Sequence, residues 1–194
     1  PLKEKSKLKP LSTYAKNKLI CEQIIKKNKN IKSIILRFFN VCSAIDKPCI
    51  GEFHNPETHL IPIAVFKAMF NKWICIYGDD YPTPDGTCIR DYIHIVDLAQ
   101  AHIKALEYLR SRESREYDYF NVGTGQGYSV LDVIKSFDTL GVKVNYKVVD
   151  RREGDAAMVY ADVTKAKEIL GWKASKNLQD MIQDVKDFTN VIQE

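Results

Sequence analysis

Ile31-Lys32-Ser33-Ile34-Ile35-Leu36-Arg37-Phe38-Phe39 is the stretch that sets the fold class. It is β-branched and apolar with little alternation, the pattern of a strand buried on both faces of a parallel sheet. The segment ahead of it has helical character. Pro10 marks a boundary, Ser12 or Thr13 offers an N-cap oxygen, and the helix is expected to run to about Lys27. A helix leading into a buried strand is half of a βαβ unit, so the chain reads as α/β. Arg37 and Asn40, at the strand's C-terminal end, fall where open α/β sheets bind ligands. Asn40 reads equally well as a turn residue.

Within that first helix, Tyr14 and Lys18 are four residues and about 40° apart on one face, with Cys21 and Ile25 continuing the stripe. An ammonium beside a phenol in a partly desolvated site favours the phenolate, which makes Tyr14 a candidate general base. The plainer reading is a solvated lysine and an ordinary helix-start aromatic, because Y-x-x-x-K arises often by chance. Ile20 and Ile24 point away from that stripe. They give the helix a second face for more core or for a partner subunit, a symmetric homodimer contact through Tyr14–Lys27 included.

A chain of 194 residues with 45% hydrophobic content can build a real core, and no apolar run is long enough to span a bilayer. The net charge of +4 is concentrated in a lysine-rich opening segment that lacks interleaved aromatics and any nucleic-acid motif, so it reads as a solvated face. The five cysteines are odd in number and never form C-x-x-C pairs, which argues against a zinc site or a disulfide framework and favours a reducing cytosol. The sequence opens on Pro1 rather than Met, as a fragment would.

Further along, Val41–Thr58 reads as a long loop over a site, His59–Phe70 as an apolar helix with Pro62 in its first turn, and Trp73–Tyr77 as a strand. After a turn-rich Gly78–Thr87, Cys88–Val96 resumes strand character. Asp97 is the expected cap of a helix to about Leu109, with Gln100 at the capping-box position. His94 and His102 share no metal-ligand spacing with each other or with His54 and His59, so they read as structural. Tyr117–Val122 is a strand followed by Gly123-Thr124-Gly125-Gln126-Gly127-Tyr128 and a helix capped by Ser129. This mimics a dinucleotide fingerprint, but the third glycine position holds Tyr128, or Val130 when counted from Gly125, so a structural turn is expected. Asp150-Arg151-Arg152-Glu153-Gly154-Asp155 is a charged turn whose arginines suit phosphate oxygens or internal salt bridges alike. A helix from Val163, a break near Gly171-Trp172 and a last amphipathic helix from Asn177 complete the chain.

Together Y-A-K-N-K, the R-F-F-N strand end, E-T-H-L-I-P, the run from Asp80 to Asp97, N-V-G-T-G and R-R-E-G-D resemble the UDP-glucose 4-epimerases of the extended short-chain dehydrogenase/reductase superfamily. The likeness extends from Pro1 to about Phe188 and covers the C-terminal half to three-fifths of a family member; the Asp80–Asp97 run is its most specific part. It implies the C-terminal part of an NAD(P)-binding Rossmann-type fold over residues 1–40 and a smaller α/β UDP-sugar-binding domain over 41–194, with 88–110 packing back on the first. The implied chemistry interconverts UDP-glucose and UDP-galactose. Tyr14 takes the proton of the sugar 4-hydroxyl, NAD takes the C4 hydride, and Lys18 holds the phenolate and the nicotinamide ribose.

By the same resemblance Phe38 lies near the nicotinamide, where many members carry tyrosine, and Phe39 and Asn40 touch the substrate. Leu60 and Tyr77 line the uridine pocket, Arg90 and Arg152 clamp the diphosphate, and Asp155 accepts from the uridine ribose. Val159 stands near the sugar and is intermediate in size between the family's alternatives, which leaves N-acetylated UDP-sugars as candidate substrates. The glycine-rich first turn and most of the parallel sheet precede the matched region. On its own this chain is therefore expected to hold NAD weakly and to leave a strand edge open. The alternatives are a noncatalytic remnant that binds UDP-sugar, or a related sugar-nucleotide dehydratase or decarboxylase.

Overall fold

The computed structural model describes residues 1–113 and 116–193. In chain order its elements are α1 (Thr13–Lys27), β1 (Ile34–Phe38), β2 (Asn40–Cys42), α2 (Leu60–Met69), β3 (Trp73–Tyr77), β4 (Ile89–Arg90), β5 (Tyr92–His94) and α3 (Ile95–Ser111). There follow β6 (Asp118–Val122), β7 (Tyr128–Ser129), α4 (Val130–Asp138), β8 (Asn145–Val149), β9 (Met158–Val159), α5 (Thr164–Leu170) and α6 (Leu178–Val191). No helix among the described residues is long and apolar enough to cross a membrane.

The strand pairs are mostly parallel. β1 lies beside β6, β2 beside β5 and β3 beside β8, while β4 sits between antiparallel β7 and parallel β9. Parallel neighbours far apart in sequence need crossover segments, and α3 supplies one by packing against β1, β5 and α5. β1 was expected to be buried on both faces, yet its first four residues are half-buried and Phe38 is exposed. Among the described residues it pairs along one edge only, with β6, so its other edge stays open.

Two apolar clusters form the core. In one, Ile61 and Val65 of α2, Ile74 and Ile76 of β3, Phe137 of α4 and Met181 and Ile182 of α6 pack together. In the other, Ile93, Leu98, Phe120, Val122, Ala166 and Trp172 surround the start of α3. The helices enter as their sequences dictate: Ser12 caps α1, and Ser129 and Asn177 close capping boxes with Asp132 and Asp180 on α4 and α6. Gly171 ends α5 in the left-handed conformation at φ 61°.

Three local expectations are corrected. Asp97 does not cap α3. The helix begins two residues earlier with His94 as N-cap, whose Nδ1 accepts from Val96 N at 3.0 Å. Asp97 instead faces the chain after α5, accepting from Ser175 N and Oγ and from Lys176 N. A buried carboxylate with three donors elsewhere has no reason to serve its own helix. Val41 and Cys42, read as the start of a loop, belong with Asn40 to strand β2, so the turn alternative for Asn40 falls. The opening segment is mostly exposed but not loose: Leu2 N donates to Tyr160 O, Asp162 N donates to Leu2 O, and Glu4 accepts from Asn121 N.

Candidate functional site

A cavity of about 1020 Å³ opens at the C-terminal end of β1, between the opening segment, the β2 region and the start of α2. That volume matches a site for a ligand of nucleotide-sugar size. Of the residues picked out from the sequence, Tyr14, Phe38, Phe39, Asn40, Leu60 and Val159 all line it. They come from five elements, α1, β1, β2, α2 and β9, or their junctions, so no sequence window holds them together. Arg37 lines it too, but its guanidinium is committed: Nε and Nη2 donate to the two carboxylate oxygens of Glu22 at 2.7 Å each, and Nη1 to Glu4 O at 3.0 Å. The fork-to-fork hydrogen bonding from Arg37 holds the Glu22 carboxyl below its usual range against the opposing effect of burial.

Lys18 Nζ lies 5.3 Å from the centroid of the Tyr14 ring, so the pair meets across one helical turn as its spacing requires. No residue of α1 is buried, and Tyr14 is 70% exposed. The desolvation that would sharpen a phenolate–ammonium pair is therefore not supplied by the described residues.

The remaining candidates form a second group. Arg152 stacks its guanidinium 3.7 Å from the Tyr77 ring centroid, and Arg90 Nη2 reaches Asp155 Oδ1 at 3.5 Å. Arg90 is also anchored through Nη1 to the carbonyls of Ile89 and Ala156. The two groups are joined by the ladder, because Arg90 on β4 is in register with Val159 on β9, which lines the cavity.

The glycine passage after β6 is already filled. Asp91, fully buried, accepts from Thr124 N (2.8 Å), Thr124 Oγ1 (2.7 Å), Gly125 N (3.0 Å) and Ala161 N (3.1 Å). A carboxylate thus occupies the amides that a pyrophosphate would need and would repel one. A Cβ on Gly123 would stand 2.5 Å from Asp91 Oδ2, so this glycine serves close packing. Of the residues expected beside the nicotinamide of a dinucleotide, Tyr14 and Phe38 line the cavity and Lys18 does not. This passage is no cradle for its diphosphate.

Histidine spacing in the sequence gave no metal pattern, and two histidines are indeed hydrogen-bonded structurally: His94 Nε2 lies 2.7 Å from Asp184 Oδ2, and His102 Nδ1 lies 2.8 Å from Leu98 O. The sequence reading missed a different grouping. The loop ahead of α2 gathers Glu52, His54, Glu57 and His59 at one point. The available signal was their alternation along an irregular loop, which has no regular period to reveal it.

The family model described as GDP-mannose 4,6 dehydratase matches residues 1–185. Among curated proteins, the UDP-glucose 4-epimerase of Drosophila melanogaster is 45% identical over 180 residues, 89% of this chain and 51% of that protein. The UDP-glucose 4-epimerase of Rhizobium meliloti is 40% identical over 183 residues, 92% and 55% of the two chains. Among solved structures, the UDP-glucose-4-epimerase from Stenotrophomonas maltophila with bound NAD and formylated UDP-arabinopyranose superposes with a TM-score of 0.94 at 38% identity. That match covers 100% of this chain and 59% of the other. The Bifidobacterium longum enzyme in complex with NAD+ and UDP gives 0.91 at 35% identity, covering 98% and 58%. The chain spans about half the length of the curated relatives it matches. It belongs to the GDP-mannose 4,6 dehydratase family and, within it, corresponds to the C-terminal part of the UDP-glucose 4-epimerases.

Proposed function

We propose that this chain carries the proton-transfer pair and the UDP-sugar pocket of a UDP-glucose 4-epimerase. The observation that carries this reading is the convergence of Tyr14, Phe38, Phe39, Asn40, Leu60 and Val159 on one cavity at the C-terminal end of a parallel strand. Residues 1–40 would close a dinucleotide-binding unit and 41–194 form the UDP-sugar side. The exposed Ile20 and Ile24 would give α1 a face for a second copy. The five free cysteines suit a reducing cytosol.

In this reading Tyr14, Lys18 and Phe38 hold the nicotinamide end of NAD, which when bound supplies a reversible hydride acceptor for the sugar C4. Tyr14 Oη takes the proton of the 4-hydroxyl and returns it when the 4-keto sugar is reduced on its opposite face. Lys18, one turn along, stabilises the phenolate form of Tyr14 that accepts this proton. Arg152, from the Asp150–Asp155 turn, and Arg90, from β4, reach the diphosphate from two directions. The uridyl end is thereby fixed while the sugar stays free to turn. Asp155, Tyr77 and Leu60 contact the uridine, and Val159 borders the sugar, where it sets how much room an N-acetyl group would find.

The test is conversion of UDP-glucose to UDP-galactose by the chain with added NAD+. Tyr14→Phe is expected to lower turnover by about 10²- to 10⁴-fold, the usual weight of a general base. Undiminished turnover in Tyr14→Phe would overturn the assignment. The exposure of Tyr14 favours one second reading, a UDP-sugar-binding unit without turnover of its own. UDP binding that depends on Arg152, with neither NAD+ binding nor turnover, would establish that reading in its place.

A further inference from the structure

Four side chains ahead of α2 converge in a way that the epimerase reading does not use. Glu52, His54, Glu57 and His59 each present one donor atom, and the four atoms lie within 4.8 Å of one another. His54 Nδ1 stands 3.0 Å from Glu52 Oε1 and 3.6 Å from Glu57 Oε1. His59 Nδ1 stands 3.7 Å from Glu57 Oε1 and also contacts Glu52 Oε1. A tetrahedral ion with bonds of about 2.0–2.1 Å keeps its ligand atoms ~3.3 Å apart. Most of the edges seen here scatter around that length.

The orientation of the groups agrees with this spacing. The two imidazole rings are 5.7 Å apart between centroids and tilted by 58°, so they do not stack on one another. Glu57 Oε1 accepts from Thr58 N at 2.7 Å and from His59 N at 2.8 Å, which fixes the carboxylate in place. Both histidine side chains are 53% exposed, which leaves an ion a path in. Two carboxylates with two imidazoles make a borderline donor set. Magnesium and calcium prefer six or more oxygens, whereas zinc-like ions take this mixture.

We propose that Glu52, His54, Glu57 and His59 bind one divalent cation of the Zn2+, Co2+ or Ni2+ class. Bound there, the ion would tie the loop at Glu52 and His54 to the residue that opens α2, and so brace one wall of the cavity that Glu52, His54 and His59 line. The proposal stands independently of the epimerase assignment.

The test is titration of the full chain with Co2+ after alkylation of its accessible thiols, because Cys21 and Cys49 are exposed. The expected result is the intense visible absorption of four-coordinate cobalt. It should saturate at one equivalent, be displaced by Zn2+, be unaffected by excess Mg2+, and lack a thiolate charge-transfer band. His54→Ala and Glu57→Gln should each weaken Co2+ binding by at least about tenfold. Circular dichroism should stay unchanged in both, since neither side chain is buried in the core. No saturable binding, a thiolate band, or equal affinity in His54→Ala would each overturn the proposal.

Discussion

Asp91→Ala is the perturbation that most directly tests how the glycine-rich loop after β6 is held. The wild-type carboxylate is fully buried and satisfies three backbone amides, those of Thr124, Gly125 and Ala161, together with the Thr124 hydroxyl. Alanine leaves the three amides without an acceptor in a space where a Cβ on Gly123 would already touch the carboxylate. Each orphaned amide costs ~1–3 kcal/mol, so the gross penalty is roughly 3–9 kcal/mol. Part is returned, because burying the ionised group was itself unfavourable; burial pushes the Asp91 carboxyl up against the pull of its four donors. A net loss of ~3–5 kcal/mol is expected, a large share of the 5–15 kcal/mol that holds an ordinary domain folded. Urea unfolding followed by the fluorescence of the buried Trp172 reads it as a fall in the midpoint. Should Asp91→Ala fail to accumulate as folded protein, Thr124→Val removes the hydroxyl that donates to Asp91 and accepts from Gln126 N, and should cost about 1–2 kcal/mol. A loss below about 1 kcal/mol in Asp91→Ala would refute the claim that this carboxylate fixes the loop.

Two further outcomes follow from local chemistry. Ser129→Ala removes the side-chain half of the α4 capping box and the contact with Asp85, and should destabilise the chain by about 1–2 kcal/mol in the same urea assay. Arg37's hydrogen bonds lower the Glu22 carboxyl in the fold, so this pair's contribution is fully present above about pH 4.3, the unfolded value, and is lost as pH falls through the lower folded value. Glu22→Gln should therefore flatten the acid limb of a stability-versus-pH curve, and an unchanged limb would show that the pair adds nothing.

How far the sequence could be read depended on whether the deciding forces were local. Ser129 was visible as a helix cap and Ser12 as one of two candidates because a cap's partner lies three residues away, and Asn177 was visible as the start of the last helix. Trp73–Tyr77 was visible as a strand because its apolar and β-branched character is intrinsic. Asp97 was misread because Ser175 and Lys176, nearly eighty residues away, claim its carboxylate. Val41 and Cys42 were misread as loop because a three-residue strand is defined by its partner Tyr92–His94 and not by its own composition. The candidate site shows the same division. Tyr14 and Lys18 are paired by helical period, whereas the metal-ligating cluster depends on an irregular loop that no period describes.

The two arginines show why placing the site residues is not the same as having a site ready for ligand. Arg152 lies flat on Tyr77, and Arg90 is held by two carbonyls and by Asp155. Each cation is already satisfied by the fold, so a diphosphate must compete with those contacts. The competition differs for the two. A guanidinium on an exposed aromatic face gains only ~0.5–1 kcal/mol, and bidentate phosphate bonding readily exceeds that. Arg90 can keep its backbone bonds through Nη1 and offer Nη2 in exchange for a 3.5 Å contact with Asp155, which is long for a charge-assisted bond. Ligand binding would then free the Asp155 carboxylate at the moment a uridine ribose arrives to donate to it. Under the proposed epimerase reading, this arrangement would link anchoring of the phosphate to recognition of the nucleoside through a single side-chain exchange, with no change required in the backbone of β4 or β9.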